Sequence, residues 1–151
     1  MRRLLLAALI ALAAPAYAAD REVPYWASIR TEKLNMRAGP GRDYPIEWVY
    51  LRPGLPLKVV RVHEGWRLVR DPEGAEGWVT ANLLSVERGA LVIGKGLAAI
   101  RAEPSEGAQL KWNAEPGVVG KLGKCAEGWC AFDVGGRTGF VRADRLWGAA
   151  D

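Results

Sequence analysis

The chain has 151 residues, with 21 Lys and Arg against 17 Asp and Glu, for a net charge of +4. A nucleic-acid binder would gather its positive charge into a stripe with interleaved aromatics, whereas here the two signs alternate throughout. Nucleic acid is therefore excluded as the expected partner, and attraction to acidic wall polymers is expected to be modest.

The chain opens on Met1-Arg2-Arg3, an apolar run over 4–14, Pro15 and Ala16-Tyr17-Ala18. These are the charged, apolar and A-x-A parts of a secretory signal. The apolar run is shorter than the roughly 20 residues that span a bilayer, and no cysteine follows Ala18 to carry a lipid. A mature chain beginning near Ala19, exported to the periplasm or beyond and without a membrane span, is the expectation. Loss of Arg2 and Arg3 would lower the charge from +4 to +2.

Short strands follow. Residues 28–31, 34–37, 48–51, 57–63, 66–70 and 77–80 are rich in β-branched and aromatic side chains and are broken by Gly and Pro. No window holds a helical period. In LNMRAGPGRDYPIEWVY, over 34–50, a strand stops at Gly39-Pro40-Gly41 and resumes with Ile46, Trp48 and Tyr50 on alternate positions, so a loop leaves the sheet and a strand returns. Pro53-Gly54 predicts a tight turn, and DPEGAEG over 71–77 a polar hairpin tip. Along LKVVRV the alternation slips at Val59-Val60, which predicts a β-bulge and the extra bend of a small barrel.

The pattern then repeats. Ile29, Arg37, Ala38, Pro40 and Trp48 recur 64 positions on as Ile93, Arg101, Ala102, Pro104 and Trp112. At 63 positions Pro53-Gly54 recurs as Pro116-Gly117, and Glu64-Gly65-Trp66 as Glu127-Gly128-Trp129. At 62 positions Gly77-Trp78-Val79 becomes Gly139-Phe140-Val141, and Ala81 and Leu84 become Ala143 and Leu146. The chain is a tandem duplication of a unit of about sixty residues. Such a unit hides only about 60% of its surface and is marginal alone. Because the joint over 86–90 is short, two all-β barrels packed together with restricted motion are expected. The division is a signal peptide at 1–18, a first barrel at 19–88 and a second at 89–151.

The repeat also interprets the two cysteines. Cys125 and Cys130 flank a hairpin turn at 126–129, which would set them across paired strands about 4.5 to 5.5 Å apart, a span that suits a disulfide. Their counterparts are Val62 and Arg67, so the bridge would belong to the second repeat alone, contributing about 2 kcal/mol. A redox-active pair is the weaker alternative, the spacing not being C-x-x-C.

Catalysis finds little support. The only histidine, His63, lies in the first repeat and both cysteines in the second, so no nucleophile and base are paired; His63 reads as a partly exposed strand-end residue. Asp43, Glu47 and Glu64 are isolated among turns. CAEGWC offers two of the four ligands of a structural zinc, so neither metal nor cofactor is expected. Trp78 and Phe140, each followed by valine, read as core residues.

LNMRAGPG, the EGW and GWV signatures set across a Gly-rich tip, and Ala81-Asn82-Leu83-Leu84 closely resemble the bacterial SH3-like (SH3b) domain of exported proteins. Both repeats fit, over roughly 26–147. The resemblance implies binding rather than catalysis, often at the cell wall, where such domains accompany peptidoglycan hydrolases. The ALYDY-type segment of eukaryotic SH3 domains is missing, so proline-rich peptide recognition is not carried over. In SH3-like folds ligands usually lie at the loop edge, which here holds Tyr44, Trp48 and Trp66 with Asp43 and Glu64 at the rim. Such a groove would stack on sugar faces or hold a cationic peptide stem. Ala99 and Glu103 replace Asn35 and Gly39 in the second repeat, so its first loop is expected to differ in shape, leaving that repeat as support. The expected function is a non-enzymatic exported tandem module for peptidoglycan or another wall component. The alternative is a periplasmic protein-protein interaction adaptor for an envelope enzyme or stress component.

Overall fold

Runs of β-branched and aromatic residues too short for a helix pair with one another in a computed structural model that describes residues 21–150. The expected signal peptide lies outside the described residues. The first repeat forms β1 (Tyr25–Ile29), β2 (Leu34–Arg37), β3 (Ile46–Tyr50), β4 (Pro56–His63), β5 (Trp66–Arg70), β6 (Glu76–Thr80) and β7 (Leu84–Ser85). The second forms β8 (Gly89–Val92), β9 (Ala98–Arg101), β10 (Leu110–Ala114), β11 (Val119–Ala126), β12 (Trp129–Val134), β13 (Arg137–Arg142) and β14 (Leu146–Trp147). Single 3-10 turns, Ala81–Leu83 and Ala143–Arg145, precede β7 and β14.

The strand orders are β3-β2-β6-β5-β4-β1-β7 and β10-β9-β13-β12-β11-β8-β14. Adding seven to each number of the first gives the second, so the fold is a duplicated all-β unit with antiparallel pairing. The predicted bulge is present: the β4–β5 register shifts between Val59 and Arg61, and β11–β12 repeats the shift between Leu122 and Cys125. The predicted turn recurs too. Gly54 and Gly117 adopt positive φ and donate to the carbonyls of Ile29 and Val92, each at 2.7 Å. The expected strand at 28–31 instead runs Tyr25–Ile29, because Tyr25 to Ser28 pair with Val59 to Pro56 of β4.

Each sheet closes on its own apolar cluster. The first contains Leu34, Met36, Leu57, Val59, Val69 and Val79; the second contains Val92, Ile100, Cys130, Phe132, Val141 and Leu146. Equivalent positions trade volume: where the first repeat has Leu57 beside Val69, the second has Gly120 beside Phe132. A Cβ on Gly120 would lie 2.7 Å from the Phe132 ring, so small and large were exchanged together. Tyr50 and Asp71 bring a buried polar pair into the first unit only. The phenol donates to Asp71 Oδ2 at 2.9 Å, while Asp71 Oδ1 accepts from the amides of Glu73 and Ala75.

Trp78 is buried as expected, yet on the outer side of its sheet. A Cβ on neighbouring Gly77 would run into Met36 in the core, so Trp78 points the other way, and His63 meets its ring edge-on at 6.2 Å. Phe140, expected in the core, is half-buried on the corresponding outer face.

The units share a packed seam. Leu91, Val119 and Trp147 of the second repeat pack on the first core. The Trp26 and Trp147 rings meet edge-on at 5.0 Å, and Arg52 donates to the Gly117 carbonyl at 2.6 Å.

Candidate functional site

The loop between β2 and β3 is held by the strand residue before it. Arg37 Nη1 donates to the carbonyls of Arg42 at 3.1 Å and Tyr44 at 2.8 Å, and the Ala38 amide donates to the Pro45 carbonyl at 3.1 Å. The second repeat reproduces two of these three bonds: Arg101 donates to the Ala108 carbonyl at 2.9 Å, and the Ala102 amide to the Gln109 carbonyl at 2.9 Å. The expected difference in loop shape is therefore corrected, since the Arg-to-carbonyl clasp fixes both backbones despite the substitutions at the tip. What differs is the packing. The Tyr44 ring lies where a Cβ on Gly39 would come within 2.4 Å of it; the second repeat has Glu103 and Ala108 at these two places.

After the loop, β3 runs along the edge of its sheet, paired with β2 on one side only. Ile46, Trp48 and Val49 on this strand and Leu51 just beyond it are all exposed, Trp48 by 59%. Trp48 is in register with Met36. Its repeat counterpart Trp112 stands on the matching edge strand but is half-buried, with the Arg137 guanidinium 4.4 Å from its ring centre. Trp112 also packs against the second core cluster, whereas Trp48 is exposed, and the alignment puts Ala75 in the place of Arg137.

Trp66 and Glu64 belong to a different surface. Glu64 takes a positive φ of 49° in the β4–β5 turn, and its carbonyl accepts from Arg67 at 2.8 Å. Trp66 is in register with Thr80, alternating with core residue Val79, so it faces outward, away from the side Trp48 shares with Met36. A cavity of about 340 Å³ beside Trp66 is lined by Lys33, Asn35, Arg37 and Arg42. The structure thus brings Asp43 and Tyr44 together on the loop and Trp48 onto the adjoining edge, but sets Trp66 and Glu64 on another face. Charge beside Trp66 is basic instead of acidic. The sequence did not single out Lys33, Arg37 and Arg42 as site residues, although Lys33 precedes β2 and Arg37 ends it.

Cys125 and Cys130 are disulfide-bonded and directly in register across the β11–β12 hairpin, with Cα atoms 4.0 Å apart. Among the described residues no cluster of His, Cys, Asp and Glu has the composition of a metal site. No described helix is long and apolar enough to cross a membrane.

A family model described as bacterial SH3 domain matches residues 30–85 and 94–148. No curated protein is found to match the chain. Among solved structures, NlpC2 and NlpC1 from Trichomonas vaginalis are each 12% identical over 85% of this chain, with TM-scores of 0.37 and 0.38, and are covered over 49% and 47% of their own length. An NlpC/P60 family protein from Bacillus cereus ATCC 10987 is 13% identical over 82% of this chain and 56% of its own, with a TM-score of 0.37. The chain spans about half the length of these structures.

Proposed function

The chain belongs to the bacterial SH3 domain family, which it matches twice in tandem, and from this premise we propose a non-enzymatic exported binding module for peptidoglycan or another cell-wall component. The supporting observation is the bare Trp48 on an open edge strand, whereas the equivalent Trp112 packs on the second core beneath Arg137. An indole left uncovered offers a flat apolar face to sugar C–H groups, and the free backbone edge of β3 can hydrogen-bond an extended peptide. Tyr44 and Asp43 adjoin this surface through the loop. Trp66 and Glu64 would form a second contact, where Lys33, Arg37 and Arg42 suit the carboxylates of a stem peptide.

Binding without catalysis is supported by what the reactive side chains are doing. The two cysteines bond each other and so offer no free thiol as a nucleophile, and His63 packs edge-on against the Trp78 ring. The disulfide also supports export, since such bonds persist in oxidising compartments.

The open β3 edge favours a second reading, a periplasmic adaptor that adds a strand of an envelope protein to the first sheet. Co-sedimentation with isolated peptidoglycan sacculi separates the two. Wild-type chain and Trp112→Ala are expected in the pellet at low and moderate salt, with folded Trp48→Ala in the supernatant. Wild-type chain remaining in the supernatant under both conditions would remove the wall reading and leave the adaptor.

A further inference from the structure

The outer face of the second repeat carries a groove where the first repeat is filled. Pro104, Lys124, Ala126, Trp129, Ala131 and Phe140 line a groove of about 530 Å³. An adjoining concavity of about 350 Å³ shares Ala131 and Phe140 and adds Lys111 and Lys121. Phe140 faces this side because a Cβ on neighbouring Gly139 would meet Ile100 in the core at 2.4 Å. By the repeat alignment, Ala126, Ala131 and Phe140 stand where the first unit has His63, Leu68 and Trp78. There His63 lies against the Trp78 ring. Three replacements by smaller side chains thus remove volume from one place.

The second change special to this repeat falls at the same spot. The Cys125–Cys130 bond staples the hairpin whose residues Lys124, Ala126 and Trp129 wall the groove. A stapled wall keeps an apolar trough from closing on itself and lowers the ordering cost of binding.

We propose that this groove binds an extended acidic peptide of a partner protein, with an apolar side chain seated between Phe140 and Ala131. The two concavities lie side by side on β11, β12 and β13, an arrangement that suits an extended chain, and the rim chooses the charge. Lys111, Lys121 and Lys124 stand along it against Asp133 and Glu127. Asp133 is in register with Lys121 and Lys111 donates to the Thr138 carbonyl at 2.5 Å, so three lysines against two carboxylates leave an excess of one positive charge along the rim for an acidic ligand. The site uses none of the residues assigned to wall binding.

The test is fluorescence anisotropy of the full chain with a labelled peptide alternating Leu and Glu, beside a control alternating Leu and Lys. Saturable binding of the acidic peptide alone is expected. It should weaken about tenfold in Ala131→Leu, which restores the first repeat's side chain, weaken also in Lys124→Glu, and stay unchanged in Trp48→Ala. Lys124→Glu is a rim substitution and keeps the test valid if Ala131→Leu fails to fold. Equal binding of both peptides, no saturable binding, or wild-type affinity in both groove variants would overturn the proposal. Displacement of the peptide by solubilised glycan strands would also overturn it, assigning the groove to the wall instead.

Discussion

Gly39 and Tyr44 act as a pair, and the second repeat replaces both together by Glu103 and Ala108. The glycine is required by the ring above it, since a Cβ would stand 2.4 Å from the Tyr44 side chain. Gly39→Ala is expected to cost about 1 to 3 kcal/mol in urea unfolding. Adding Tyr44→Ala should recover part of that loss, because the two positions share one contact. Tyr50 and Asp71 make a second coupled pair. Burial, followed by the hydrogen bond to Asp71 and its charge, pushes the Tyr50 phenol well above its ordinary 10.0. The folded state therefore holds the phenolic proton more tightly, so the contribution is fully present below pH 10.0 and is lost as pH rises above it. Tyr50→Phe should unfold with about 1 to 3 kcal/mol less stability at neutral pH. The difference from wild type should shrink in strong alkali, as denaturant midpoints measured across pH would reveal; a constant difference would contradict the linkage.

Strand placement was largely legible because alternation, Gly-Pro punctuation and the repeat all point the same way. The bulge at Val59-Val60 and the cross-strand cysteines followed from register alone. Which aromatic is covered was not legible, since Trp112 is covered by the second core and by Arg137, a residue brought from β13 by the fold. The candidate groove failed as one surface for a related reason: a period of two says that neighbours face opposite ways, but not which face of one strand meets which face of another. Asp71 was hidden for the opposite cause, because DPEGAEG reads as a solvated tip while its first residue turns inward. Arg137→Ala should therefore expose the ring face it covers on Trp112, raising acrylamide quenching at a stability cost of at most about 1 kcal/mol. Reduction of Cys125–Cys130 should lower stability by about 2 kcal/mol, seen as a shift in the urea midpoint with and without reductant.

Across the molecule, the seam joins the two units by apolar and polar contacts. Leu91, Val119 and Trp147 complete the first core from the second repeat, and a Cβ on Gly89 would press on the Gly54 carbonyl at 2.2 Å. Urea unfolding should accordingly be a single transition by tryptophan fluorescence and far-UV circular dichroism. Gly89→Val should cost about 1 to 3 kcal/mol or split the transition in two. One duplicated scaffold thus carries two unlike surfaces, an aromatic edge on the first unit and a lysine-rimmed trough on the second. The most direct test of the wall-binding account is a nuclear magnetic resonance titration of the isotopically labelled chain with solubilised peptidoglycan fragments. The account predicts contiguous shift changes over 44–51, centred on the Trp48 indole, with Trp112 and the edge strand around it unmoved. Shift changes confined to the second repeat, or none at saturating fragment, would contradict it.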